Sequence, residues 1–280
     1  MRRTEQFTIL ITGATDGLGE RVATDLAGLG FTLLLHGRNP DKGRQVLARI
    51  REATGNDRLH YFNADLSSLA EVNRLAVSVG QSRPRLDVLI NNAGLGAGPD
   101  SKLRETSVDG YELRFAVNYL APFLLTRRLL PLLCSTSEKA GQARIVNVAS
   151  VAQQAIDFSD VFLEKKYDGM RAYGQSKLAL IMFTFDLGEE LAGTGVTANS
   201  LHPASLMDTR MVREWFGYAL SKVETGAHNV ERLVLADELR EVSGVYFDHD
   251  QPARAASQAY DMKARQKLRD LSLIWTGFDL

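Results

Sequence analysis

The sequence contains a single cysteine, Cys134, and no long apolar run. One cysteine cannot form an internal disulfide or a zinc site built from several cysteines. No stretch approaches the roughly 18 apolar residues that a membrane helix requires. Two arginines near the amino terminus lead directly into a predicted strand, without the pattern of a secretory signal. We therefore expect a cytoplasmic protein with no membrane insertion.

The chain also lacks an excess of charge of either sign. Its 33 lysines and arginines balance 34 aspartates and glutamates, which gives a formal net charge of -1. This balance gives no reason to expect nucleic acid or an anionic membrane as a partner. No proline-, glycine- or serine-rich linker and no repeat divides the 280 residues. We predict one domain, residues 1–280.

Short apolar runs rich in β-branched residues alternate with longer amphipathic stretches. This alternation is typical of α/β domains in which right-handed βαβ units build a parallel sheet. Continuous apolar runs also favour strands that are covered by helices on both faces. The predicted strands are FTILIT, FTLLLH, LHYFNA, LDVLIN, ARIVNVAS, GVTANSLH and a short SGVYFD.

The longest irregular region is predicted at about residues 204–229, after the sixth strand. Loops of this length in compact domains are often functional lids, so we expect the substrate loop here. Amphipathic patterns also predict a long helix at Val108 to Leu133 and a charged final helix at about Ala253 to Leu273.

The segment TGATDGLG follows the first predicted strand and leads into a helix. Gly13, Gly17 and Gly19 allow a tight turn and a close approach of the backbone to a ligand. The helix amino terminus then offers free N–H groups to a pyrophosphate. A glycine triplet alone is weak evidence, but this position in a βαβ series favours a dinucleotide site.

The second strand ends in Gly37 and Arg38 rather than in an acid. NAD-selective enzymes place an acid near this point for the ribose 2′-hydroxyl, whereas an arginine accommodates the 2′-phosphate of NADP. A guanidinium holds that phosphate through charge-assisted hydrogen bonds. The residues favour NADP(H), and the alternative is that Arg38 is an ordinary surface arginine.

Tyr173 and Lys177 are four residues apart in the predicted helix RAYGQSKLAL. This spacing places a phenol and an ammonium on one face, where the cation would lower the pKa of the phenol. A tyrosine tuned in this way can act as a general acid or base. Taken alone, most such pairs are ordinary neighbours on a solvated face.

Several further motifs occur in the order found in one family: NAD with Asp65, NNAG, VNYLAPFLLT with Asn118, NVAS with Ser150, and YGQSK. With the glycine loop, they make the chain similar to the short-chain dehydrogenases and reductases over nearly its whole length. The segments HGRN, YGQSKLA, GVTANSLHP and SGVYF resemble the branch of retinol dehydrogenases and carbonyl reductases.

The resemblance implies an α/β single-domain Rossmann fold with a seven-stranded parallel sheet flanked by helices on both faces. It implies four catalytic residues, with Tyr173 as acid or base, Lys177 on the nicotinamide ribose, Ser150 on the substrate oxygen and Asn118 holding a water. The implied cofactor contacts are Gly13, Thr15, Asp16, Gly17, Leu18, Gly19, Arg38, Asn39, Asp65, Leu66, Asn92, Ala93, Gly94, Tyr173, Lys177, Pro203, Leu206 and Thr209.

One departure concerns the loop after the sixth strand. Ala204 stands where the family usually has glycine, and alanine restricts the backbone wherever a positive φ is required. The expected contacts of Leu206 and Thr209 depend on the path of this loop. Apolar side chains in the loop suggest a hydrophobic aldehyde or ketone as substrate, although they could equally pack the loop onto the domain: Met207, Met211, Trp215, Phe216 and Tyr218. The segment between Ser150 and Tyr173 is also expected to flank the pocket.

No metal is expected, since His36 and His202 have no clustered ligands in the sequence and are interpreted as structural. The predicted function is an NADP(H)-dependent oxidoreductase that interconverts a carbonyl and an alcohol. The alternatives are an NADP-binding regulator without catalysis and a sugar-nucleotide epimerase or dehydratase. By analogy with the family, the helices carrying Asn118 and Tyr173 could form a homodimer or homotetramer.

Overall fold

The computed structural model describes residues 7–279 and contains one eight-stranded sheet. The strand order is β3-β2-β1-β4-β5-β6-β7-β8, and only the β7–β8 pair is antiparallel. The seven predicted parallel strands are confirmed, with a two-residue edge strand added. The amino-terminal segment with the two arginines, residues 1–6, lies outside the described residues. The strands are β1 Thr8–Ile11, β2 Thr32–Gly37, β3 Leu59–Asn63, β4 Val88–Asn91, β5 Ala143–Val148, β6 Val196–His202, β7 Val245–Asp248 and β8 Gln251–Pro252.

Helices cover both faces of the sheet, as predicted. Alternate residues of the strands separate the two layers: Leu10 packs with one helix layer and Ile9 and Ile11 with the other. The first layer contains α3 Leu69–Ser82, α4 Leu113–Phe115, α5 Ala121–Ala140, α6 Gly169–Glu190 and α9 Met262–Thr276. The second contains α1 Gly17–Gly28, α2 Pro40–Thr54 and α8 Val223–Leu235. Among the described residues, no helix is both long and apolar enough to cross a membrane.

The prediction of an irregular region at 204–229 is wrong, because this region contains α7, Arg210–Phe216, and the first half of α8. The hydroxyl of Thr209 accepts a hydrogen bond from Val212 N–H and begins α7, and Gly217 ends it in the left-handed conformation. These are local capping signals within a short, mixed sequence. An apolar period is difficult to recognise over so few residues.

The long helix predicted from Val108 is also interrupted. Helical structure starts at Leu113, passes through a π-helical turn at Ala116–Leu120 and continues to Ala140. Pro122 lies just after this turn and has no N–H for the carbonyl of Asn118. Single π turns of this kind occur often at functional sites.

The final helix begins at Met262 rather than near Ala253, because Pro252 lies in β8 and Asp261 caps the helix. It lies against α6, where Arg265 donates hydrogen bonds to Asp186 at 2.6 Å and Glu189 at 2.9 Å. Ser272 of the same helix meets the π-helical turn, where its hydroxyl lies 2.7 Å from that of Tyr119. Every residue of α6 from position 174 to position 187 is buried within this one chain, against the sheet, the π-helical turn and α9.

Candidate active site

The carboxyl ends of the parallel strands meet a cavity of about 1060 Å³. It lies where the strand order reverses between β1 and β4, which is the usual ligand position in open α/β sheets. All of the predicted cofactor-binding residues lie on its wall, together with Ser150, Tyr173 and Lys177. Asn118 does not line the cavity.

The glycine loop forms the turn between β1 and α1. Gly13 and Gly17 have φ values of +64° and +52°, which strain other residues. A Cβ at Gly13 would lie 2.8 Å from Ala93 Cα, so the loop and the end of β4 are in close contact. The side chain of Asp16, at the N-cap of α1, makes no capping hydrogen bond. The first N–H groups of this helix therefore remain available to an anion.

The buried ring of His36 holds the glycine loop through a hydrogen bond. Gly13 N–H donates to Nδ1 at 3.3 Å, and Nε2 lies 3.0 Å from the carbonyl of Ala64, to which it donates in this tautomer. Burial lowers the pKa of His36 to about 4, so the ring is neutral at physiological pH. Both ring nitrogens have partners, as the interpretation of His36 as structural requires.

The end of β2 has no room for an acidic side chain at Gly37. A Cβ there would lie 2.7 Å from the Thr15 side chain and 3.0 Å from the Tyr61 hydroxyl. Arg38, the next residue, is exposed and lines the cavity. Within the described residues it makes no ion pair.

Lys42 is a cavity residue that the sequence reasoning missed. It is exposed on the first turn of α2, near Arg38, and its ammonium has no ion pair in the described part of the chain. The neighbouring acid, Asp41, is paired with Arg44. Asn39, predicted as a cofactor contact, uses its side-chain oxygen to cap α2 through the N–H groups of residues 41 and 42. A lysine at the first turn of the helix after β2 was the signal available in the sequence.

The NNAG motif continues the wall at the end of β4. Asn92 Nδ2 donates to the carbonyls of Thr12 at 2.8 Å and Gly13 at 3.1 Å, and so joins this strand end to the glycine loop. A Cβ at Gly94 would lie 3.3 Å from Lys177 Nζ and 3.4 Å from Asn118 Oδ1. Glycine thus keeps the space in front of the lysine open.

Tyr173 and Lys177 lie one turn apart on α6, as their spacing predicts. The helix is capped by Asp168, whose carboxylate accepts a hydrogen bond from Arg171 N–H. Lys177 Nζ donates to the carbonyl of Val148 at 2.8 Å and lies 5.8 Å from the centre of the Tyr173 ring. Burial lowers the pKa of Lys177 to about 8.

The expected lowering of the Tyr173 pKa by Lys177 does not occur in this structure. Burial raises the pKa of Tyr173, and a hydrogen bond with the Ser150 side chain opposes that rise. Burial lowers the pKa of Lys177 and raises that of Tyr173, and the charge of Lys177 is not among the causes that act on the phenol. Ser150, rather than Lys177, is the residue that favours the phenolate here.

Asn118 lies below the cavity, in the π-helical turn. Its Oδ1 accepts a hydrogen bond from Leu95 N–H at 2.7 Å, and its Nδ2 donates to Leu95 O and Ser176 Oγ, both at 2.9 Å. The side chain is fully engaged and fixes the loop after β4. Because Pro122 has no N–H, the i→i−4 hydrogen bond to the backbone carbonyl of Asn118 is absent.

The loop after β6 also lines the cavity. Positive φ occurs at Leu206, at +44°, and not at Ala204. The anticipated conflict at Ala204 is therefore absent, and the unusual backbone falls two residues later. Leu206 and Thr209 both line the cavity.

Trp215 of α7 forms an apolar part of the cavity wall beside Tyr173. Its ring stands edge-on to the ring of Tyr173, with 5.7 Å between the ring centres. The same ring lies directly against Gly96, where any Cβ would overlap it. Met170, Met207 and Met211 also line the cavity.

The other predicted wall residues are placed differently. Tyr218 is 56% exposed and does not line the cavity, and the side chain of Phe216 lies outside the described residues. Of the segment between Ser150 and Tyr173, only Val151, Ala152 and Met170 reach the cavity. Phe162, in the middle of that segment, instead packs on Trp275 of α9 with 4.8 Å between ring centres.

The sequence model of the short chain dehydrogenases matches residues 7–217, three-quarters of the chain. The chain belongs to the short chain dehydrogenase family. It is 34% identical to human retinol dehydrogenase 13, with 93% of this chain and 82% of that protein covered. It is 33% identical to human polyprenol dehydrogenase, with 96% and 84% covered. This short chain dehydrogenase therefore falls in the retinol dehydrogenase-like branch.

Solved structures support the same assignment. The RhlG/NADP active-site complex of Pseudomonas aeruginosa superposes with a TM-score of 0.71 at 26% identity, over 89% of this chain and 98% of that one. That protein holds a nicotinamide dinucleotide at its active site. The family and its structural relatives make this short chain dehydrogenase an oxidoreductase that uses a nicotinamide cofactor.

Proposed function

We propose that this chain is an NADP(H)-dependent oxidoreductase that interconverts a hydrophobic ketone or aldehyde and the corresponding alcohol. The observation that carries the proposal is the position of Tyr173, beside the Ser150 hydroxyl and on the wall that continues from the glycine loop. A donor for the substrate oxygen and a dinucleotide cradle thus share one cavity.

The residues present fit NADP(H). The uncapped first turn of α1, beyond Gly13 and Gly17, suits a pyrophosphate. Arg38 and Lys42 suit a 2′-phosphate, because both are exposed cations without an ion pair among the described residues. The open space at Gly94 in front of Lys177 suits a ribose.

The bound cofactor supplies or accepts the hydride, and the chain's own residues manage the proton. In the reducing direction, negative charge develops on the substrate oxygen, to which Tyr173 and Ser150 donate hydrogen bonds. Tyr173 then gives its proton to that oxygen. Lys177 and a water on the Asn118 carbonyl return a proton to the phenol from solvent.

The substrate side of the cavity is apolar. Trp215 and three methionines line it, and methionine adapts to irregular hydrophobic ligands. The substrates named in the two relatives, retinol and polyprenol, are both isoprenoid alcohols. We therefore propose an isoprenoid alcohol or its aldehyde before a polar or charged carbonyl.

The test is the oxidation of NADPH, beside NADH, with terpenoid, aromatic, aliphatic and steroid carbonyls. Tyr173→Phe removes only the hydroxyl and should lower kcat by at least about 100-fold, the usual contribution of general acid catalysis. NADPH binding, followed by fluorescence, should remain.

Two results would contradict the proposal. Turnover that is unchanged in Tyr173→Phe would remove Tyr173 from the proton transfer. Tight NADPH binding without turnover of any carbonyl would favour the alternative of a regulator that binds NADP without catalysis.

Cytoplasmic location and self-association remain proposals as well. Balanced charge and a lone cysteine support the first, and cell fractionation tests it. A dimer through the helices carrying Asn118 and Tyr173 has to accommodate α9, which lies on α6. Sedimentation velocity at working concentration tests the second.

A further inference from the structure

Three side chains with metal-binding atoms meet outside the four catalytic residues. They are His202 at the end of β6, Asp248 at the end of β7 and His249 in the turn to β8. One ligand atom from each lies within 4.8 Å of the other two. In the described part of the chain, this is the one group of three histidine, cysteine or acidic residues so arranged.

The sheet itself brings these residues together. His202 and Asp248 are partners in the parallel register of β6 and β7. The N–H of His249 then donates to the carbonyl of His202 at 2.9 Å. A sequence search for ligand clusters misses the group because its members come from two strands that are distant in the chain.

The turn holds a histidine where the backbone favours glycine. His249 has a φ of +58°, a left-handed conformation that carries a conformational cost for residues other than glycine. Glycine at this position would remove that cost. The imidazole is therefore present despite the local backbone, which is typical of a side chain with a function.

The geometry leaves one carboxylate oxygen without a normal partner. Oδ1 of Asp248 is buried and forms no hydrogen bond within the described residues. It lies 2.9 Å from Nδ1 of His249, close to the separation of two ligands on one ion but without hydrogen-bond geometry. The ring of His202 is held by Ser205 Oγ, 3.1 Å from Nε2, and stands at 79° to the ring of His249.

We propose that His202, Asp248 and His249 bind one divalent transition-metal ion, with Zn²⁺ as the best match. Two imidazoles and one carboxylate are a recurring ligand set for Zn²⁺ and related ions, with a further position open to water. Zinc-to-ligand distances of about 2.0–2.2 Å require the three atoms to converge slightly. His249 and Asp248 can move, because their side chains are 42% and 44% exposed.

The ion would connect the end of β6 to the β7–β8 turn. His202 immediately precedes Pro203 and the loop over the cavity, so the site would hold the start of that loop. This role is structural, and it does not depend on the proposed oxidoreductase activity.

The test uses the untagged full chain, stripped with a chelator and titrated with ZnCl₂ by calorimetry. The expected result is one Zn²⁺ per chain, with a melting temperature that rises with Zn²⁺ concentration. His249→Gly removes one of the three ligands and should weaken binding by more than the about ten-fold that loss of an outer-shell partner costs, while it relieves the backbone at that turn. Asp248→Asn should weaken it as well.

His228→Ala is the matched control, since His228 is exposed on α8 and outside the cluster. Titration with Co²⁺ gives a second readout, because its visible spectrum reports nitrogen and oxygen ligation. Absence of saturable binding in the parent chain would overturn the proposal. Equal Zn²⁺ affinity in His249→Gly and the parent would do the same by placing the ion elsewhere.

Discussion

Gly96→Ala tests whether Trp215 holds α7 over the active site. The backbone at position 96 has no positive φ and so accepts alanine, but a Cβ would overlap the Trp215 ring. The indole would have to move by about 2 Å to restore ordinary carbon contacts of 3.5–4.0 Å. The perturbation is thus confined to one contact beside Tyr173.

The expected loss of activity follows from the contacts that the Trp215 ring would lose. The edge-on contact with Tyr173 is worth about 0.5–1.5 kcal/mol, and partial burial of the indole adds about 1 kcal/mol more. A total of about 2 kcal/mol corresponds to about 30-fold in the equilibrium between the observed position of Trp215 and displaced ones. We expect kcat/KM for the best carbonyl substrate to fall by about that factor. NADPH affinity should change much less, because the glycine loop and Arg38 are not touched.

Gly80→Ala provides the matched control, since Gly80 is exposed on α3 and a Cβ there meets no atom within 4 Å. The decisive comparison is Gly96→Ala in a Trp215→Ala background, where the overlap no longer exists and the effect should vanish. The reasoning is refuted if folded Gly96→Ala keeps kcat/KM within about two-fold of the parent. An equal loss with and without Trp215 would refute it too.

Three further predictions concern titratable or charged side chains: Arg38 with Lys42, Lys177, and His36. Arg38→Ala combined with Lys42→Ala should raise KM for NADPH about 10- to 100-fold and leave KM for NADH nearly unchanged. The reason is that each charge-assisted hydrogen bond to the 2′-phosphate contributes about 1.5–3 kcal/mol. Equal effects on both cofactors would contradict the 2′-phosphate site. Lys177, with a pKa of about 8 against about 10.5 when unfolded, binds fewer protons in the folded state between these values. The free energy of unfolding should therefore rise by up to about 3 kcal/mol from pH 8 to pH 10.5 relative to Lys177→Met, as measured by urea denaturation. The pKa of His36 is about 4 instead of about 6.5, so its contribution is complete above pH 6.5 and is lost as the pH falls to 4. His36→Asn should reduce acid destabilisation by up to about 3 kcal/mol, while His228→Asn, at an exposed position, should not.

The sheet could be predicted from the sequence because a buried parallel strand is a continuous apolar run. The glycine loop and the Tyr173–Lys177 pair were also predictable, since both depend on spacing within one element. These features need no knowledge of which strands are neighbours. All of them lie where the sequence indicated.

Other features depend on contacts between distant segments. The packing of Trp215 on Gly96 joins α7 to the loop after β4, and the group around His202 joins two strands. The pKa of Tyr173 is raised mainly by burial, and the spacing between Tyr173 and Lys177 in the sequence gives no information about burial. The π-helical turn at Asn118 had a local signal in Pro122, but a periodic pattern cannot distinguish a π turn from a continuous helix.

The enclosure of α6 has a consequence for the order of folding. The helix that carries Tyr173 and Lys177 is covered by α9, which leaves the ribosome later than every strand of the sheet. Until α9 docks, the face of α6 that carries Asp186 is open to solvent, together with the Tyr119 hydroxyl that later meets Ser272. A nascent chain with all strands synthesised thus still lacks part of the cover of α6, and leaves core residues of that helix open to chaperones or aggregation.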